Sequence, residues 1–392
     1  MPMTNDLPLP DQAARAHSER VVARVRKDIA AAGGFIGFDR YVETVLYAPG
    51  LGYYVAGARK LGADGDFVTA PELTPLYGAA LAQQIDAILD ATGGRDIVEL
   101  GAGSGALARS ILAALRRSPL RYSILEVSPE LRDRQERALA DGASRDTPRD
   151  ASRDATEMRW LETLPHEIDG VVLLNEVLDA LPPRLIARRA GAWHERGVTW
   201  DGTALAWAER PLDDARMLAL ARARFPADGD YASELNPAAE ALVATLARRL
   251  NRGALVIVDY GFPRSEYYHP QRSDGTLVGH YRHRVHADPF LWPGLSDLTT
   301  HVDFTALAEA AEGAGLVVAG FATQASFLLG CGILDRLAAA GAPESLAYLR
   351  EAAAVQKLTS PAEMGELFKV LLVAPESHSW RSLAVTDLTH RL

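Results

Sequence analysis

Apolar and polar positions along the chain change period several times, and each change marks an element. Between residues 20 and 32, Val21, Val22, Val25 and Ile29 recur at helical spacing, which predicts an amphipathic helix closed by Gly33 and Gly34. A second helix is predicted over 76–91, stopped by Gly93 and Gly94. Short apolar runs then alternate with helical ones. Strands are predicted at 97–100, 122–127, 171–174, 254–259, 316–322 and 368–374, with helices at 106–115, 129–140 and 304–314. Parallel strands covered on both faces read as such continuous apolar runs, because neither face meets water. The alternation predicts an α/β fold built on a doubly wound, mostly parallel sheet.

Other stretches break the alternation. Residues 1–18 read as a loose tail. Residues 35–75 carry Phe35, Phe38, Tyr41, Tyr47, Tyr53 and Tyr54 among glycines, which reads as a loop-rich cap with a short helix near 40–47. Residues 141–156 repeat Ser-Arg-Asp and read as a flexible surface insertion. Residues 184–250 separate two strands by more than a usual crossover. They are expected to form a subdomain with a hairpin at 193–207 and a helix at 237–250. The resulting plan is a tail (1–18), a cap (19–92), a core (93–183, continued at 251–376), an insertion subdomain (184–250) and a C-terminal tail (377–392).

Composition narrows the function. A formal charge of −10 argues against nonspecific nucleic-acid binding, whose affinity comes from neutralising phosphates. No run approaches the roughly 18 apolar residues of a membrane span, so no membrane association is expected. The single cysteine, Cys331, cannot form an internal disulfide. With no apolar segment near the N-terminus, a cytoplasmic location is expected. His280, His283, His286 and His301 lie near Asp297 and Asp303, but no metal-ligand spacing accompanies them, so no metal is expected.

Candidate chemistry centres on Ile-Val-Glu-Leu-Gly-Ala-Gly-Ser-Gly at 97–105. Gly101, Gly103 and Gly105 let the backbone turn sharply and approach a ligand with no Cβ in the way. On glycines alone the signal is weak, since Gly101, Gly103 and Ala106 also satisfy the dinucleotide pattern, leaving an NAD-dependent oxidoreductase as an alternative. Two acids favour another ligand. Glu99 stands two residues before the first glycine, where a carboxylate suits a cationic amino-acid group better than a pyrophosphate. Glu126 closes the next strand, where it can accept from both hydroxyls of a ribose. S-adenosyl-L-methionine (SAM) carries an ammonium, a sulfonium and a ribose but no phosphate.

Several segments then resemble one family in order. They are Phe38-Asp39-Arg40-Tyr41 with Leu46-Tyr47-Ala48-Pro49-Gly50-Leu51-Gly52-Tyr53-Tyr54; Gly65-Asp66-Phe67-Val68-Thr69-Ala70-Pro71-Glu72; and Asn175-Glu176-Val177-Leu178-Asp179-Ala180-Leu181-Pro182. Asp259-Tyr260-Gly261, Gly275-Thr276-Leu277, 297–304 and 364–369 continue the match. Over about residues 20–375 the chain resembles the MidA-like SAM-dependent methyltransferases, which include a mitochondrial complex I assembly factor with protein-arginine methyltransferase activity. The resemblance implies a class I methyltransferase core with a seven-stranded sheet, an N-terminal cap and a central insertion. It further implies a protein substrate, an arginine of a respiratory complex I subunit in the mitochondrial members. A noncatalytic assembly factor that holds SAM as a structural ligand is a second alternative.

Asn175 and Glu176 follow a predicted strand, so they emerge at its carboxyl end, where open α/β sheets bind ligands. Glu176, Asp179 and, from the cap, Asp66 are the candidate catalytic carboxylates, able to orient an acceptor nitrogen and take its proton. The bland alternative for Glu176 and Asp179 is N-terminal capping of a following helix. Glu99, Gly101, Gly103, Gly105, Glu126 and Asn175 are the candidate cofactor ligands, with Thr69 and Pro71 as a lid or, equally, a proline turn. The chain lacks the paired-glutamate loop of better-known arginine methyltransferases.

Overall fold

A computed structural model of the chain describes residues 7–56, 69–116, 121–142, 156–376 and 378–392. Asp66, most of the low-complexity stretch and the first six residues lie outside this range. The chain divides into two compact units. One gathers the N-terminal segment with 179–240 and 264–302; the other gathers 69–178, 241–263 and 303–392.

The second unit holds the predicted sheet. Its strands are β1 (Asp96–Leu100), β2 (Arg121–Leu125), β3 (Glu157–Leu161), β4 (Ile168–Asn175), β5 (Leu250–Phe262), β6 (Val317–Thr323) and β7 (Phe368–Ala374). They lie in the order β6-β7-β5-β4-β1-β2-β3, and a two-residue strand, Val302–Asp303, makes an eighth beside β5. Neighbours from β5 to β3 are parallel, whereas β7 runs antiparallel to both β5 and β6. This is a doubly wound α/β methyltransferase-type sheet, mostly parallel as expected. The apolar runs are its interior: Val171, Val172, Leu173 and Leu174 are completely buried.

β3 escaped the sequence reading for a physical reason. It is the edge strand, partly open to water, so Glu157-Met158-Arg159-Trp160-Leu161 has no continuous apolar run. Helices α1 (Pro75–Thr92), α2 (Ala106–Ala114), α3 (Pro129–Gly142) and α4 (Phe304–Glu312) also belong to this unit. α1 starts where Thr74 accepts the Leu76 N–H and Pro75 fixes the first turn, and Gly93 ends it in a left-handed cap. The plan placed 76–91 in the cap; its apolar face packs instead in the sheet unit's core, through Tyr77, Leu81, Ile85 and Ile88.

The first unit joins what the sequence plan kept apart. Strands Ile36–Gly37, Ala192–Trp200, Arg184–Arg189 and Tyr231–Leu235 form one sheet in that order, with Leu205–Pro211 paired to Ala192–Trp200. Ile36 pairs with Val198, so the N-terminal segment and the central insertion share hydrogen bonds and a core. Phe38 packs on Trp207 at 5.2 Å and Tyr41 on Phe290 at 5.5 Å, which accounts for the aromatic content of this segment. The first helix, Gln12–Ala31, starts well before the predicted boundary because Asp11 caps it, accepting the Ala14 N–H at 2.8 Å. Its first two turns bury only Ser18, so they carry no apolar stripe to read. The predicted 40–47 helix is an α-turn, Phe38–Val42, followed by a π-helical turn, Glu43–Tyr47.

Candidate functional site

Strand order reverses between β1 and β4, since the chain winds one way through β1-β2-β3 and the other way through β4-β5. Ligands in such sheets bind beyond the carboxyl ends at that reversal. Register brings the candidate residues there: Leu100 pairs with Leu125 on one side and Leu174 on the other. Gly101, Glu126 and Asn175, each the next residue, therefore emerge side by side on adjacent strands spaced about 5 Å apart.

The loop after β1 requires its glycines. Gly101, Gly103 and Gly105 have φ of 63°, 56° and 82°, a region that a Cβ makes costly. Gly105 leads into α2, so the loop ends at N–H groups with no intrahelical partner. Ser104 Oγ donates to Glu72, which sits on the short helix Ala70–Leu73 together with Pro71. Thr69 precedes that helix with an extended backbone and no side-chain capping bond. The glycine loop is thus fastened to the described end of the segment 65–72.

Glu99 is buried on β1 and accepts from Tyr122 Oη at 2.8 Å. Burial pushes its carboxyl up to about 7, against the lowering effect of the Tyr122 bond, and the nearby Glu126 charge adds to the rise. Glu126 is also raised by burial, opposed by bonds from the Ser128 N–H at 2.9 Å and from Gln135 at 2.9 Å. A pyrophosphate beside buried Glu99 and half-buried Glu126 would meet like charge; a cationic, ribose-bearing ligand meets complementary charge and acceptors. No lysine or arginine lies between 97 and 106 to offset them. The donor set therefore fits SAM.

A pH dependence follows. A cationic group beside Glu99 favours its carboxylate, so SAM affinity is expected to rise as pH increases through about 7, approaching tenfold per pH unit below that point. For folding the sign is opposite. A carboxyl raised above its unfolded value of 4.5 contributes stability that is full below 4.5 and lost as pH rises through about 7. Glu99→Gln is expected to flatten both profiles, read by calorimetry and thermal melting. Profiles unchanged by the substitution would clear Glu99 of both effects.

At the end of β4 the side chains form a relay. Tyr77 Oη donates to Asn175 Oδ1 at 2.6 Å, and Asn175 Nδ2 donates to Glu176 Oε1 at 3.2 Å. Burial, then the charges of Glu176 and Asp259, raise the Tyr77 hydroxyl well above its ordinary value, so it remains a donor. Glu176 has φ 54°, an unfavourable backbone for a non-glycine residue, and its N–H is held by the Val258 carbonyl at 2.9 Å. Asp259, buried on β5, accepts from the Leu178 N–H at 3.0 Å and the Tyr260 N–H at 2.9 Å. No helix starts after Asn175; the chain runs through turns to the strand Arg184–Arg189. The helix-capping alternative for Glu176 and Asp179 therefore falls away.

Asp179 lies in the first unit, where its carbonyl accepts the Thr300 N–H at 3.0 Å. Tyr47 Oη donates to the Ala180 carbonyl at 2.9 Å in that unit. Asp66 lies outside the described residues. Gly275-Thr276-Leu277 wraps a buried carboxylate that the sequence reading overlooked: Glu234 accepts from the Thr276 and Leu277 N–H groups and from Tyr267 Oη. A Cβ at Gly275 would lie 2.4 Å from that carboxylate. Burial lowers His280 to about 4 and lowers His286 as well, and His286 Nε2 meets Ser296 Oγ at 3.0 Å. Asp303 caps α4, accepting the Ala306 N–H at 3.1 Å. Among the described residues no group of three or more His, Cys, Asp or Glu is placed to hold a metal ion, and none of the helices is long and apolar enough to cross a membrane.

A family model described as "Putative S-adenosyl-L-methionine-dependent methyltransferase" matches residues 80–322, more than half of the chain. The chain belongs to this methyltransferase family. Over 93% of its length the methyltransferase is 29% identical to the Drosophila melanogaster protein named "Protein arginine methyltransferase NDUFAF7 homolog, mitochondrial", covering 88% of it. It is 30% identical to the Caenorhabditis elegans protein of that name, over 78% of this chain and 74% of the relative. A crystal structure from Burkholderia thailandensis, bound to S-adenosyl-homocysteine, matches 99% of this chain and 100% of its own with TM-score 0.91 and 46% identity.

This methyltransferase uses SAM, and the dinucleotide alternative gains nothing from these likenesses. The cytoplasmic expectation is overturned: the curated relatives are named as mitochondrial proteins, and the absences behind that expectation carry no location.

Proposed function

We propose that this methyltransferase modifies an arginine side chain of a protein substrate, with Glu176 orienting the acceptor nitrogen. The observation that carries the reading is the Tyr77-Asn175-Glu176 relay at the carboxyl end of β4, where a carboxylate is held on a strained backbone at the strand-order reversal. The names of the curated relatives support the arginine, and the resemblance to the MidA-like family points to a respiratory complex I subunit as the protein.

When bound, SAM supplies an electrophilic methyl carbon on its sulfonium. The residues of the chain do the rest. Glu99 meets the ammonium and Glu126 the ribose hydroxyls, while Gly101, Gly103 and Gly105 let the loop backbone close on the ligand. Asn175 binds beside them, and Thr69 and Pro71 cover the cofactor. A guanidinium has a pKa above about 12 and is a poor nucleophile while charged. Glu176 would pair with it, fix its direction and take a proton as the C–N bond forms and the methyl–sulfur bond breaks, with S-adenosyl-homocysteine as the leaving product. Methyl transfer is an in-line displacement, so this positioning supplies much of the acceleration.

The test is to incubate the purified protein with methyl-labelled SAM and a mitochondrial or membrane fraction rich in complex I. The products are then mapped by mass spectrometry. Label on arginine nitrogen of a complex I subunit is the expected result. Label on another residue type would refute the arginine reading, and no label would point to a SAM-binding protein without turnover.

A further inference from the structure

Gln135 lies on α3 and is completely buried, and its carboxamide makes three polar contacts within the sheet unit. Nε2 donates to the Gly103 carbonyl at 3.0 Å and to Glu126 Oε2 at 2.9 Å. Oε1 accepts the indole N–H of Trp160 at 3.0 Å. An indole nitrogen only donates, so Trp160 dictates which end of the carboxamide is oxygen. Both amide hydrogens are thereby aimed at acceptors, one on the glycine loop and one on the acid after β2. Three successive strands are tied at their ligand-binding ends by one side chain.

We infer that Gln135 is a positioning residue for the cofactor ribose: it presents the Glu126 carboxylate, and Trp160 sets the orientation in which it can do so. This rests on the reading of Glu126 as the ribose ligand. The geometry of Glu126 shows what the arrangement achieves. Its Oε1 accepts the Ser128 N–H and its Oε2 accepts Gln135, and the Val127 N–H adds a further backbone contact. The two oxygens of a carboxylate offer about four lone-pair directions, so acceptor capacity remains for a ribose hydroxyl. Without Gln135 the carboxylate loses the side-chain bond that fixes Oε2. The loop carbonyl at Gly103 loses its anchor at the same time. A shorter or acceptor-only side chain cannot reproduce this: glutamate would set a negative charge against Glu126 and could not donate to either partner.

The experiment compares S-adenosyl-homocysteine with its 2′,3′-dideoxyribose analogue by calorimetry, in the parent, Gln135→Met, Trp160→Phe and Glu126→Gln. A hydrogen bond to a charged group contributes about 1.5–3 kcal/mol and the analogue lacks both hydroxyls, so the parent is expected to prefer the hydroxylated ligand by at least about 100-fold. In Gln135→Met that preference is expected to shrink to a few-fold, with a rise in KM for SAM larger than any fall in kcat. Trp160→Phe should move the same way by less. A general loosening of the fold would weaken both ligands alike and leave the ratio standing. A parent-like ratio in Gln135→Met would overturn the inference. Should that variant not fold, a parent-like ratio in Trp160→Phe would do so. If Glu126→Gln keeps the parent ratio, the ribose reading of Glu126 itself fails. If it loses the ratio while Gln135→Met and Trp160→Phe keep it, only the positioning role fails.

Discussion

Glu176→Gln is expected to bind SAM as the parent does and to lose turnover by about 10²–10⁴-fold, the usual contribution of a positioned acid or base. Glutamine keeps the size of the side chain and retains an oxygen to accept from Asn175 Nδ2, so the relay from Tyr77 survives in shape. What disappears is the charge that pairs with a guanidinium and the lone pair that takes its proton. The loss should therefore appear in single-turnover rates with cofactor affinity unmoved. The left-handed backbone at 176 is common to both side chains, so stability should change little. A variant that turns over at the parent rate removes Glu176 from the mechanism. One that loses cofactor binding instead makes Glu176 a cofactor ligand.

Gly103→Val is expected to weaken SAM binding by at least about 100-fold. A β-branched residue at φ 56° is strongly disfavoured, and strain of this kind costs on the order of 1–3 kcal/mol. The loop relieves it by leaving the left-handed region, which withdraws the Gly103 carbonyl from Gln135 and shifts the N–H groups leading into α2. Added side-chain bulk then occupies space that the glycine leaves to the ligand. Each 1.4 kcal/mol is a factor of ten in affinity, so strain and displacement together reach the stated loss. Gly103→Ala should fall between parent and valine. Calorimetry reads both, and parent-like affinity in the valine variant would move the cofactor away from this loop.

Much of the sheet was legible because its strands are buried on both faces: 368–374 and the interior of β4 read directly from apolar runs. β3 was not, since an edge strand with Glu157 and Arg159 facing water has no such run. Gln12 to Ser18 look like tail because a helix turn without an apolar stripe has no period to detect, although Asp11 stands in capping position. For the site, Gly101, Gly103, Gly105, Glu99, Glu126, Asn175 and Glu176 announce themselves as glycines and acids around a strand end. Tyr77, Gln135 and Trp160 do not. Each looks like an ordinary helix or strand residue until strand register sets it against a partner far along the chain. Asp179 shared a motif with Glu176, yet the boundary between the two compact units falls just before it.

The pairing of Ile36 with Val198 has a bearing on biosynthesis. The amino-terminal strand emerges from the ribosome more than 150 residues ahead of the partner that completes its ladder. At ordinary translation rates of about 5–20 residues per second, that is a wait of roughly 10–30 s. Throughout it, Phe38 and Tyr41 stand without the Trp207 and Phe290 that later shelter them. The nascent chain is thus a natural client for holding chaperones, and a truncated product ending before residue 192 would be prone to aggregation.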